Sequence, residues 1–299
     1  MGKGSTGKAF RQLNLSNGFL FGEVMEDEET CKVLVEIVFG RRVRRIHRVA
    51  KERHMDVDSF HKGVRLDVYF EDDKDTVYCV EMQNQKQTYL TRRSRHYQGV
   101  IDVKMLPAGE VDYGRLQDGA VVFICTFDPF GYRRFCYTFE NKCLEIPGLV
   151  LGDGTRKLFL STEGKNADET RPELVDFLHY VKDSVHLQPQ TDLVKKVAQR
   201  VDCVKKDQSM EARYMMSLVH DNEMRMEGHQ EGRKEGRHEG EEIKLIELVL
   251  KKINKGMPAG EIAEFLEEPP ERIQYIADIA QRIGNQEPLA VYEEMNTRG

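Results

Sequence analysis

The chain contains 299 residues, of which 45 are basic and 51 acidic, and its 32% of charged residues exceeds the usual ~25%. At roughly 100–200 residues per domain, this length accommodates one large domain or two ordinary ones. The net charge of −6 excludes a protein that coats nucleic acid with a uniformly basic surface, but it leaves room for a local basic site.

The chain has no apolar segment near the ~18–20 residues that a membrane span needs, and its first residues lack the apolar core of a secretory signal. Its six cysteines, at positions 31, 79, 125, 136, 143 and 203, have no CxxC spacing. We therefore expect reduced, partly buried thiols in a cytoplasmic protein without a membrane partner.

The first predicted elements are a helix and a basic strand. Residues 19–39 have apolar side chains at spacings near three and four, with Asn17 as a cap and Gly40 as a stop. Residues 41–53 then contain seven basic residues and one acid, and residues 43–49 indicate an exposed strand. This segment would either contact a DNA backbone or protect an edge strand from aggregation.

A β-hairpin is predicted next, because residues 64–70 and 76–83 alternate with period two on either side of a polar turn. The pattern at residues 90–106 is helical, and residues 119–127 form an apolar run typical of a strand buried on both faces. Short strands at 134–140 and 157–161 and a helix at 172–185 follow. Nearly everything after residue 192 is helical in pattern.

The C-terminal third contains a repeat and a helical tail. Residues 227–242 have glycine at every fourth position, and each glycine costs about 1 kcal/mol in a helix relative to alanine, so we predict a marginal helix or a mobile spacer at a domain boundary. Residues 258–276 resemble a helix-turn-helix. However, residues 257–284 contain six acids and two arginines, which favours an interaction module over a DNA reader.

The hairpin carries the residues that indicate chemistry. Residues two apart in a strand share a face, so Glu81 and Gln83 project together, and a short turn brings Asp67 opposite Glu81. Two such carboxylates raise each other's pKa unless a cation lies between them. Mg²⁺ suits the position because it binds one or two carboxylates together with water and phosphate oxygens. The alternative is that these acids form the polar face of an exposed hairpin.

The helix after the hairpin adds basic residues. Residues 86–104 contain five basic residues and one acid, and Arg93 and Tyr97 share a stripe. Cations beside paired carboxylates suit a phosphodiester, since they hold the backbone while a metal polarises the scissile phosphate. We predict that Arg93, Arg95 and Tyr97 contact DNA. The alternative is that Arg93 pairs with a core acid such as Glu81 and only supports the hairpin.

The order and spacing of Asp67, of residues 81–83 (EMQ) and of residues 93–97 (RSRHY) resemble the PD-(D/E)XK nuclease-type transposases of the recombination-promoting nuclease (Rpn) family. The resemblance covers roughly residues 13–245 and includes residues 123–131 and the Glu-Gly spacer. It implies an α/β fold with a PD-(D/E)XK restriction-endonuclease-like core, in which helices flank a mixed central sheet, and a helical C-terminal extension.

The resemblance also implies a function, that of a bacterial, Mg²⁺-dependent DNA endonuclease of DNA recombination, with Mn²⁺ as a substitute metal. Asp67 and Glu81 would be metal ligands, with the Met82 carbonyl as a third and Glu23 as the candidate for an additional acid. Gln83 replaces the lysine of the wider superfamily, so it can orient water but cannot neutralise charge. The alternative function is a catalytically weak or inactive nuclease fold that binds DNA or protein.

The predicted domain order follows from these segments. We expect a disordered N-terminus at 1–12, a nuclease-like domain at 13–190, a helical extension at 191–226, the charged spacer at 227–242 and a small helical tail at 243–299. The C-terminal helices are the candidate surface for a homo-oligomer. A structure with Asp67 and Glu81 on opposite faces of the sheet would contradict the predicted site.

Overall fold

The computed structural model describes residues 9–55, 64–106, 109–284 and 287–296, with the backbone alone at 48 and 52. The chain divides into two compact units, Met1–Ser217 and Leu218–Gly299. Within the described residues, no helix combines the length and the apolar character needed to cross a membrane.

The first unit contains both helices and strands. Its helices are α1 (Gly18–Met25), α2 (Glu28–Phe39), α3 (Leu90–Met105), α4 (Pro172–Lys182) and α5 (Asp192–Lys206). Its strands are β1 (Ile46–Met55), β2 (Val64–Asp72), β3 (Val77–Gln83), β4 (Gly119–Cys125), β5 (Cys136–Phe139) and β6 (Thr155–Ser161). Single 3₁₀ turns lie at Tyr113–Arg115 and Ala167–Glu169.

The described strands form one six-stranded mixed sheet in the order β1-β2-β3-β4-β6-β5. The β1–β2, β2–β3 and β5–β6 pairs are antiparallel, whereas β3–β4 and β4–β6 are parallel. Buried residues of α1, α2, α4 and α5 pack on one face of the sheet, and α3 packs on the other. This architecture confirms the predicted α/β fold with a mixed sheet flanked by helices.

The central strands explain where the core lies. Every residue of β4 is buried, as its continuous apolar run predicts, and every residue of β3 is buried as well. β3 is covered on both sides because β2 and β4 flank it and helices pack on both faces. The alternative of an exposed hairpin is therefore wrong for β3, which lies at the centre of the sheet.

The N-terminal helix differs from the prediction because it is two helices. Asp27 ends the run by capping α2, and its Oδ2 accepts hydrogen bonds from the backbone N–H of Thr30 at 2.9 Å and from the Thr30 hydroxyl at 2.7 Å. The predicted cap and stop are confirmed. Asn17 Oδ1 accepts from the Leu20 N–H at 3.1 Å, and Gly40 ends α2 with a φ of 66°.

Both ends of the predicted nuclease-like domain extend further than expected. Residues 1–8 of the predicted disordered N-terminus lie outside the described residues, but residues 9–11 are helical and Phe10 is buried against Phe19 and Tyr214. Four valines of α5, including Val197 and Val201, are buried in the core of the sheet. α5 therefore belongs to the first unit rather than to a separate extension.

The second unit is helical. α6 (Gln208–Ile253) includes the charged spacer, so of the two predicted possibilities, a marginal helix or a mobile spacer, the structure has the helix. The division between the two units precedes the spacer. The helices that follow are α7 (Ala259–Leu266), α8 (Pro270–Ile283) and α9 (Pro288–Asn296). Ile246 and Leu250 of α6 pack with Ile262, Ile276 and Val291 in a small core. Homo-oligomerisation through these helices stays a prediction.

Candidate active site

The hairpin register brings the two predicted acids together. Val68 of β2 pairs with Val80 of β3, and continuing this register by one residue puts Asp67 opposite Glu81. The backbone N–H of Asp67 donates to Glu81 Oε1 at 2.8 Å, and the N–H of Met82 donates to Asp67 Oδ2 at 3.0 Å. Each carboxylate thus accepts a hydrogen bond from the backbone of the opposite strand, just beyond the last paired residues of the ladder. The two acids therefore lie at neighbouring positions, as the sequence pattern predicts.

Glu81 is the most enclosed acid of the site, with no exposed surface. Its Oε2 accepts from Arg93 Nη2 and from the Tyr97 hydroxyl, the latter at 3.4 Å. Burial, and after it the charge of Asp67, raises the pKa of Glu81 to about 7, against the opposing effects of the Asp67 N–H and Arg93. Glu81 therefore exchanges its proton near neutral pH, which is typical of residues at functional sites.

Arg93 connects the groups of the site. Its Nη1 donates to Gln83 Oε1 at 2.9 Å, and its Nε donates to the Tyr97 hydroxyl at 2.9 Å. Its guanidinium carbon lies 5.0 Å from the ring centre of Tyr97 and 5.2 Å from that of Phe123. These contacts agree with the alternative prediction, in which Arg93 pairs with Glu81 and supports the hairpin. A quarter of its side chain nevertheless remains exposed.

Gln83 is held at both ends of its amide. Its Oε1 accepts from Arg93, and its Nε2 donates to the carbonyl of Gln85 at 2.6 Å. These partners fix the orientation of the amide, because the oxygen must face the cation. Gln83 is buried, with 6% of its surface exposed.

A buried thiol lies beside the acids but does not have the character of a nucleophile. Cys79 Sγ is 3.9 Å from Glu81 Oε1 on the same face of β3. Burial, followed by the charges of Glu81 and Asp67, raises the pKa of Cys79 well above its ordinary value. Because the thiolate is the reactive form, this environment keeps Cys79 inert.

Two predicted site residues lie elsewhere. Glu23 of α1 forms ion pairs with Lys51 at 2.7 Å and Arg213 at 3.0 Å. Lys51 is opposite Val68, whose side chain packs on the α1 face, whereas Glu81 contacts Arg93 and Tyr97 of α3 on the other face. Arg95 is exposed, and being two residues from Arg93 it points to another side of α3. The structure brings neither residue to the acids.

The oxygen donors of the site suit Mg²⁺, since Asp67, Glu81 and the backbone carbonyl of Met82 provide the hard ligands that this ion prefers. Glu81 Oε2, however, is the atom that Arg93 neutralises. A cation at this atom must replace the guanidinium. The donor set therefore fits a metal ion on the condition that the ion pair between Glu81 and Arg93 opens.

A second polar cluster, absent from the sequence prediction, lies at the turn end of the hairpin. His47 Nε2 is 3.9 Å from Glu71 Oε2 and 3.7 Å from Asp75 Oδ1, and the three groups could together hold a metal ion. The Tyr69 hydroxyl donates to Glu71 Oε1 at 2.6 Å. Pairing of His47 with Glu71 in the β1–β2 register creates this cluster. In the sequence, the feature that could have indicated this cluster is the acidic turn of the hairpin together with the preceding basic strand.

Comparisons of the chain with protein-family models, with curated proteins and with solved structures find no match. Function must therefore be inferred from the chemistry of the residues themselves. The informative feature is the set of Asp67, Glu81, Gln83, Arg93 and Tyr97, which hydrogen bonds connect on the α3 face of the sheet.

Proposed function

We propose that the protein is a metal-dependent DNA endonuclease of the PD-(D/E)XK and Rpn type, which hydrolyses phosphodiester bonds with Mg²⁺. The observation that carries this proposal is the position of Asp67 and Glu81 opposite each other on adjacent strands, with Arg93 and Tyr97 hydrogen-bonded to Glu81. A mixed sheet flanked by helices, with acids on a hairpin, is also what the family resemblance implies.

Each residue has a role in this proposal. The Asp67 and Glu81 carboxylates and the Met82 carbonyl hold Mg²⁺, with Mn²⁺ as a substitute. When bound, the ion polarises the scissile phosphate and lowers the pKa of water. Arg93, once displaced from Glu81, becomes available to a phosphate oxygen. Gln83 orients the attacking water, while charge stabilisation depends on the ion and Arg93 because the amide is neutral.

The charge distribution supports DNA as the substrate. The second unit contains 18 acidic and 11 basic residues, which leaves 33 acidic and 34 basic residues in the first unit. The excess of negative charge thus belongs to the helical tail and not to the unit with the site. A nearly neutral unit can present local cations to a phosphate backbone without opposition from its own net charge.

The second candidate is a nuclease fold that binds DNA or protein without efficient catalysis. Glu81 has no exposed surface and is paired with Arg93, and Gln83 supplies no charge. In this candidate the Glu81–Arg93 pair stays closed and serves the stability of the hairpin. Opening of the pair by a cation is therefore the event that separates the two candidates.

Plasmid nicking with Mg²⁺ tests the proposal. We expect wild type and Asp168→Ala, a matched change of an exposed aspartate, to convert supercoiled plasmid to open circles, and Asp67→Ala to lose this activity. Added EDTA should abolish nicking by wild type. Equal activity of wild type and Asp67→Ala would refute the assignment, and no activity in wild type would favour the binding module.

A further inference from the structure

A cavity of about 380 Å³ opens at the N-terminus of α3, which is within the ~300–1,000 Å³ range of small-molecule pockets. Its lining is aromatic on one side and polar on the other. Phe127, Phe130 and Phe159 form the aromatic side, and Lys86, Gln87 and Thr88 contribute polar groups from the segment that leads into α3.

The cavity adjoins the candidate active site through a chain of ring contacts. Phe159 stacks on Phe123 with ring centres 5.4 Å apart and an interplanar angle of 10°. Phe123 in turn lies under the guanidinium of Arg93. The backbone N–H of Thr126, the residue before Phe127, donates to the carbonyl of Gln83 at 3.1 Å. The rings of Phe159 and Phe123 therefore lie between the cavity and Arg93.

The polar side of the cavity is cationic. Lys86 and the first turn of α3, at Leu90 and Thr91, both line it. The positive end of the helix dipole therefore adds to the charge of Lys86.

We propose that this cavity binds one unpaired base of the DNA substrate. The base stacks on the half-buried rings of Phe127 and Phe130, and the adjoining phosphate lies at Lys86 and the start of α3. Bases in duplex DNA have both faces stacked on neighbours, so only an unpaired or flipped base enters such a site. The preferred substrates are therefore overhangs, flaps and bubbles rather than blunt duplexes.

This inference rests on the proposed action on DNA, but it is tested by binding without cleavage. Fluorescence anisotropy in EDTA compares a blunt duplex, the same duplex with a single-stranded overhang, and a third duplex whose overhang consists of abasic sites. We expect the base-containing overhang to bind about tenfold more tightly than the abasic one, since stacking on aromatic rings contributes this much per base. The abasic overhang keeps the phosphates, so the difference reports the base alone.

Two variants locate the effect. Phe127→Ala should remove most of the difference between the overhangs and leave blunt-duplex affinity unchanged. Phe139→Ala is the matched control, because Phe139 contacts Phe130 and Phe159 from outside the cavity, with ring centres 5.2 and 5.7 Å away, and should keep the difference. Phe127→Leu, which keeps an apolar side chain but removes the ring, repeats the test if Phe127→Ala fails to fold.

Equal affinity of wild type for the base-containing and abasic overhangs overturns the inference, whatever the nicking assay gives. A difference between overhangs that survives both Phe127→Ala and Phe127→Leu overturns it as well. Overhang discrimination by a protein that never nicks plasmid supports the base pocket and refutes the endonuclease. Nicking without overhang discrimination supports the endonuclease and refutes the pocket.

Discussion

Replacing Glu81 with glutamine should stabilise the protein at about pH 8 and have little effect near pH 4.5. The reason is the cost of a buried charge. Burial and the neighbouring Asp67 carboxylate raise the pKa of Glu81 from 4.5 to about 7, although Arg93 and a backbone N–H oppose the change. Glutamine keeps the shape of the protonated carboxyl without its charge.

The magnitude follows from proton linkage. Between pH 4.5 and about 7 the folded state holds a proton on Glu81 that the unfolded state has already released. Stability therefore falls as pH rises through this window, by up to about 1.4 kcal/mol per pH unit. Over the whole window the free energy of unfolding decreases by roughly 3 kcal/mol, and Glu81→Gln should be more stable by that amount above it.

Urea unfolding at a series of pH values in EDTA measures the effect. Wild type should lose stability across the window, whereas Glu81→Gln should lack this component of the pH dependence. Glu264→Gln, an exposed change in the second unit, is the matched control and should follow wild type. A Glu81→Gln variant that is less stable than wild type at about pH 8 would refute the reasoning, because attraction to Arg93 would then outweigh burial.

Three further changes have defined outcomes. Arg93→Ala should lower stability at about pH 8 by about 3 kcal/mol, since it leaves Glu81 buried and unpaired, and thermal melts should show a smaller loss near pH 5, where Glu81 is protonated. With Mg²⁺ present, the same change should reduce the salt slope of DNA binding by about one. Arg171→Ala should cost about 2 kcal/mol in urea unfolding, because the guanidinium donates to the last carbonyls of α2, including those of Glu36 at 3.2 Å and Val38 at 2.8 Å. Gly232→Ala should stabilise α6 by about 1 kcal/mol, which urea unfolding followed by circular dichroism measures.

Each of these predictions would be contradicted by a specific result. Unchanged stability of Arg93→Ala at both pH values would mean that its contacts with Glu81 contribute nothing, and an unchanged salt slope would remove the phosphate role. Equal unfolding of Arg171→Ala and wild type would show that water replaces the guanidinium at the end of α2. An unchanged free energy of unfolding in Gly232→Ala would favour a mobile spacer over a helix.

Local patterns were sufficient for the hairpin and for the pairing of its acids. Period-two alternation around a polar turn determines which residues of β2 and β3 share a face, so Asp67 and Glu81 could be matched from the sequence. The spacing of four between Arg93 and Tyr97 likewise predicts their common stripe on α3. The caps Asn17 and Gly40 act within a few residues of their own position, which is why they were recognised.

Contacts between distant segments were not predictable in the same way. Glu81 is completely buried because β4 lies beside β3 and α3 packs over it. The hydropathy pattern of the hairpin alone gives no information on either element. Glu23 was assigned to the site by family resemblance, but Lys51 and Arg213 bind it on the opposite face. The position of His47 beside Glu71 required the β1–β2 register, which the sequence left open.

The most direct test of the account is whether Asp67 and Glu81 form one cation site. Electron paramagnetic resonance of Mn²⁺ added at about pH 8 measures bound metal without DNA or catalysis, and every protein compared carries His47→Ala so that the cluster of His47, Glu71 and Asp75 does not contribute. Wild type and Asp168→Ala should bind Mn²⁺ with a common affinity, and Asp67→Asn and Glu81→Gln should each lose that binding while remaining folded. Full retention of Mn²⁺ by Asp67→Asn would contradict the assignment of these carboxylates to a metal site.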